Sequence, residues 1–118
     1  MLRKFFFALL VATACSRPND VRQQLKNPQT GDVYVVQFQA EGRREPRYYF
    51  YHVYRVAPDS VYLHPARQDA ATPDADLRQL AYEPTAKSLA YTRAELLALL
   101  KEQPGDPTKS KLVRVRRP

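Results

Sequence analysis

Arg47-Tyr48-Tyr49-Phe50-Tyr51-His52-Val53-Tyr54-Arg55-Val56-Ala57-Pro58-Asp59-Ser60-Val61-Tyr62-Leu63-His64 is the stretch on which the fold turns. Residues 47–56 are dense in Tyr and β-branched side chains, which fit a pleated, half-buried surface. Ala57-Pro58-Asp59-Ser60 places Pro at the second position of a tight turn, and residues 61–64 resume as a strand. With Ala57 opposite Ser60, the expected pairs are Val56–Val61, Tyr54–Leu63 and Val53–His64. Directly paired residues share a face, so Tyr51, Arg55, Tyr62 and His64 are expected on one side. His52 goes to the other with Phe50, Tyr54, Val56, Val61 and Leu63. On this reading the two histidines point opposite ways.

Working outward, residues 32–40 alternate, with Tyr34, Val36 and Phe38 on one side and Val33, Val35, Gln37 and Gln39 on the other. That is a half-buried strand. A polar turn with Gly42 and Pro46 joins it to the hairpin, giving a three-stranded meander. Beyond a loop at 67–72, Thr72-Pro73 reads as a helix cap followed by Pro at the first helical position. Leu77, Leu80 and Ala81 form its short apolar stripe, which ends before Pro84. Thr92-Arg93-Ala94-Glu95 is a capping box. It opens a second helix with Leu96, Leu97, Leu99 and Leu100 along one side, stopped by Pro104-Gly105. Residues 111–116 alternate again as a C-terminal strand. The expected class is α+β: a small curled antiparallel sheet, or an SH3-like barrel, with two short helices. Gly31-Asp32-Val33-Tyr34 loosely resembles the opening strand of several SH3-like barrels.

The amino terminus carries a different message. Arg3 and Lys4 are charged, residues 5–11 are apolar, and Ala12, Thr13 and Ala14 are small or short before Cys15. This is the three-zone pattern of a signal peptide over residues 1–14. The apolar run is far shorter than the roughly 20 residues that span a bilayer. Val11-Ala12-Thr13-Ala14-Cys15 resembles a lipobox, the cleavage site of bacterial lipoprotein signal peptidase. The resemblance implies a diacylglyceryl group on the Cys15 thiol, cleavage before it, and a lipid anchor in the cell envelope. Ser16, rather than Asp, follows the anchor. In the best-known sorting scheme this implies the outer membrane rather than the inner one. The expected organisation is a signal peptide at 1–14, lipidated Cys and polar tether at 15–31, and one β-rich domain at 32–118.

Charge and chemistry narrow the function classes. Nineteen basic against twelve acidic residues give +7, which favours anionic headgroups, acidic glycans or acidic proteins as partners. An exported chain has no nucleic acid to meet. The single cysteine forms no internal disulfide, three glycines build no phosphate loop, and no Gly-x-Ser-x-Gly elbow occurs. Neither catalytic residues, nor a cofactor, nor a metal centre is expected. Asp69, Asp74 and Asp76 read as ordinary complements to a helix start.

Two surfaces remain. Tyr49, Tyr51, Arg55, Tyr62 and His64, with Arg47, are expected on the outer face of the hairpin. Phenols beside guanidinium groups stack on sugar rings or anchor a protein partner. Lys111, Arg114, Arg116 and Arg117, with Lys109, form a basic patch for anionic headgroups. There Arg114 and Arg116 are expected to share a side with Leu112, with Val113 and Val115 pointing inward. The leading expectation is a non-catalytic binding or structural module of the cell envelope. The alternative is an inhibitor or immunity protein against a cell-wall-degrading enzyme, and a hydrolase relying on His64 is a third reading.

Overall fold

A computed structural model describes residues 18–83 and 89–118. Five antiparallel strands form one sheet: β1 (Val33–Phe38), β2 (Arg47–Val56), β3 (Ser60–Pro65), β4 (Leu89–Thr92) and β5 (Lys111–Arg116). Helix α1 (Pro18–Lys26) precedes them, and α2 (Arg93–Ala98) lies between β4 and β5. The class is α+β, as the pattern predicts. Strand order is β4-β3-β2-β1-β5. The two outer strands are not paired with each other, so the sheet is open rather than closed into a barrel. β4 had no expectation behind it; it runs straight into the capping box of α2. There Thr92 N–H donates to Glu95 Oε1 at 2.8 Å and Glu95 N–H donates to Thr92 Oγ1 at 3.1 Å.

The sheet is covered on both faces. On the first, Val21 and Leu25 of α1 and Leu96 of α2 pack against Tyr34, Val53, Val61, Leu63, Leu112 and Val115. On the second, Val33, Val35 and Phe50 lie beneath Ala66, Ala70, Leu77, Leu80 and Tyr82. Two expectations need correction. Residues 18–26 are not tether: Val21 and Leu25 stand one turn apart and are sealed, at 2% and 0% exposure. Burying such side chains contributes about 1.5–3 kcal/mol each, which is why a mostly polar segment folds as a helix. The helix expected after Thr72 is instead a three-residue 3-10 turn, Leu77–Gln79, capped by Asp76. Among the described residues Thr72 Oγ1 accepts from Asp74 N–H, at 3.1 Å, in a local turn.

Two β-bulges set the faces, and both correct the expected register. Val56↔Val61 and Arg55↔Tyr62 pair as adjacent rungs, but the next rungs are Val53↔Leu63 and His52↔His64. Tyr54 is the extra residue. Strict alternation from Val56 would bury Tyr54 and turn Val53 outward. The bulge lets Val53 join Val56, Val61 and Leu63 beneath the helices. The same occurs where Val35↔Arg114 is followed by Val36↔Leu112. Leu112 and Val115, three apart, both reach the helix face because Val113 is the extra residue and packs on the opposite one.

Candidate binding surface

The bulge at Tyr54 assembles a strip of rings at the β2–β3 end of the second face. His52 and His64 sit directly opposite each other across the two strands. Tyr54 stacks on His64, with centroids 3.7 Å apart and planes within 5°. Tyr54 also lies 6.3 Å from Tyr62, tilted, and the Arg55 guanidinium sits over the Tyr62 ring at 4.9 Å. At the other end, Tyr82 leans on His52 at 5.2 Å. Five rings and one cation thus line one strip, with the rings half-buried and Arg55 exposed.

The electrostatics follow from this crowding. Burial pushes the His52 imidazole below its ordinary pKa, and neighbouring His64 pushes it further the same way. His52 therefore rests neutral at pH 7. Burial raises the Tyr82 phenol, while Arg116 partly offsets the effect. The Tyr82 hydroxyl is buried without a hydrogen-bond partner among the described residues. Arg55 has no ion pair among the described residues, so its charge at the end of the strip is not internally neutralised.

The expected binding face is divided by the structure. Arg55, Tyr62 and His64 stay together on the strip. Tyr51 packs against the helix-covered core, and Tyr49 stacks on Phe38 at 4.3 Å while remaining 40% exposed. Arg47 is engaged by Asp69 at 3.0 Å. Sequence reasoning missed His52, Tyr54 and Tyr82 as members. The first two required the bulge. Tyr82 arrives through an isolated bridge to Ala66, for which the sequence offers no local signal.

The basic patch is largely turned to internal use. Arg114 is ion-paired with Asp74. Arg116 Nη1 donates to Ala75 O at 2.6 Å and Pro73 O at 3.2 Å, fastening the covering segment to the sheet. Arg117 grips buried Asp32, with Nε 2.9 Å from Oδ1 and Nη2 3.3 Å from Oδ2. Lys111 makes no ion pair among the described residues. Asp69, Asp74 and Asp76 each face an arginine, whose hydrogen bond holds the carboxyl below its usual range. Among the described residues no three His, Cys, Asp or Glu side chains gather as a metal cage, and no helix is long and apolar enough to cross a membrane. The signal peptide at 1–14 and the acylation site at Cys15 lie outside the described residues. Searches against protein families, curated proteins and solved structures gave no match.

Proposed function

We propose that the chain is a lipid-anchored protein of the bacterial cell envelope, seated at the outer membrane, whose domain binds an anionic envelope glycan without catalysis. The observation that carries the binding reading is the strip from Tyr82 to Tyr62 ending in exposed Arg55. Flat ring surfaces match the C–H faces of sugars, and an unneutralised guanidinium selects phosphate or carboxylate. With Arg3 and Lys4 removed by cleavage, 17 basic against 12 acidic residues leave +5, which favours the same partners. For the body, an opened SH3-like barrel is supported by the order β4-β3-β2-β1-β5, with a helix before β5.

The anchor reading rests on the sole cysteine falling at the lipobox-like site. Two residues, Ser16 and Arg17, separate Cys15 from Pro18, where α1 begins, so the three-step gap is at most about 11 Å. The domain would then ride close against the bilayer. The intact mass of the mature amino terminus tests this: a diacylglyceryl adduct on a chain starting at Cys15 is expected, and Cys15→Ser should lose it. An unmodified, uncleaved terminus in the wild type removes the anchor.

Binding is tested with the soluble Cys15→Ser chain and lipopolysaccharide core oligosaccharide as probe. Saturable binding that weakens with salt is expected. Tyr62→Ala and Arg55→Ala should each weaken it about five- to tenfold, the scale of one ring or cation–π contact. Equal affinity for wild type and both variants would take the strip out of the account.

A further inference from the structure

We propose that His52 and His64 together form a site for a divalent transition-metal cation, best matched by Cu2+, with water completing the coordination. Strict alternation would hold these side chains on opposite faces; the bulge at Tyr54 instead makes them a directly paired rung. Side chains so paired have Cβ atoms about 4.5–5.5 Å apart. Two imidazoles bound to one ion at about 2.0–2.1 Å bring their donor nitrogens within roughly 3 Å. Rotation about the side-chain bonds closes that difference.

The surroundings suit the role. Tyr54 covers a face of His64 at 3.7 Å, and Tyr82 leans on His52 at 5.2 Å. Stacking engages a ring's face, whereas a metal bonds at its edge and in its plane, so these contacts do not themselves block ligation. Only neutral imidazole ligates, and at pH 7 that is the ordinary majority form. Imidazole suits copper, zinc and nickel, and Cu2+ heads the affinity order for a site with few ligands. No third His, Cys, Asp or Glu joins the pair among the described residues. The charged groups nearby are Arg55 over Tyr62, Arg116 near Tyr82, and Arg67 paired with Glu83. Arg55, which has no ion pair among the described residues, opposes an incoming cation, so the affinity belongs in the micromolar range. The site shares His64 with the glycan-binding strip but does not depend on that reading.

The test is Cu2+ titration of the full chain carrying Cys15→Ser, which removes the one competing thiol. Calorimetry should find one ion per chain, and electron paramagnetic resonance should show coupling to two imidazole nitrogens. His52→Ala and His64→Ala should each weaken binding at least about tenfold, since each removes one of two protein ligands. Arg55→Gln and Tyr62→Phe should not weaken it, which separates this site from the glycan proposal. Undiminished binding in the double variant His52→Ala/His64→Ala, or coupling to one nitrogen only, overturns the proposal. The unsubstituted pair gives a second reading that needs no histidine variant to fold. Copper should be released on acidification, because protons compete with the ion for imidazole nitrogen. Binding that survives this acidification overturns imidazole ligation.

Discussion

Leu25→Ala is expected to lower the unfolding free energy by about 3 kcal/mol and the midpoint of thermal unfolding by roughly 15 °C. Leu25 is fully buried and packs in one cluster with Val21, Leu96, Leu112 and Val115. Truncating a buried leucine costs about 2–5 kcal/mol, according to how far the neighbours close over the space. Helix α1 rests chiefly on α2 and β5, and so can settle partway inward. A middle value follows. Lys26→Ala, one residue along on the exposed side, is the control and should change stability by less than about 0.5 kcal/mol. The comparison is decisive for domain organisation. If the two variants unfold alike in urea, residues 18–26 are a tether after all.

Arg117→Ala carries the next largest effect, again about 3 kcal/mol by urea denaturation. Asp32 is 1% exposed and carries Arg117 on both carboxylate oxygens, with Gln29 N–H as a further donor at 3.0 Å. Removing one partner of a buried pair strands the other charge, at a cost of about 3–5 kcal/mol. Arg117 itself is 31% exposed, so water can reach part of the vacated space, and the low end applies. The same guanidinium donates to Asn27 O at 2.8 Å, tying the segment after α1 to the end of β5. Asp32→Asn should cost less, about 1–2 kcal/mol, because Arg117 keeps that bond and reaches solvent. An Arg117→Ala loss no larger than the Asp32→Asn loss would show that the carboxylate is not held in a dry site.

Much of the sheet is legible in the letters. Alternation announces β1 and β5, Tyr-rich composition announces β2, Pro58 announces the turn into β3, and Thr92 with Glu95 announces α2. What escapes reading is set by packing at a distance. Tyr51-His52-Val53-Tyr54-Arg55 can be read in either register because tyrosine suits both faces, so nothing local singles out Tyr54 as the residue to be left out of the ladder. Only the demand that Val53 and Val56 share the helix face does so. Val113 is left out for the same kind of reason, between Leu112 and Val115. Helix α1 offers two large apolar side chains in nine residues, a pattern too thin to announce itself until α2 and β5 are there to receive it. The candidate surface was accordingly half visible: Arg55, Tyr62 and His64 belong to it, and Tyr49 and Tyr51 do not.

Strand β1 sits between β2 and β5, with Val33 opposite Arg116. A ribosome therefore delivers β1 long before the neighbour that completes it. Through most of synthesis one rim of β1 offers bare amide and carbonyl groups, a template for any stray strand. Closing it demands a contact that spans nearly the whole domain, which makes the step slow beside helix formation. A nascent polypeptide of this design keeps that rim open until β5 emerges, and a holding chaperone has that whole interval in which to act.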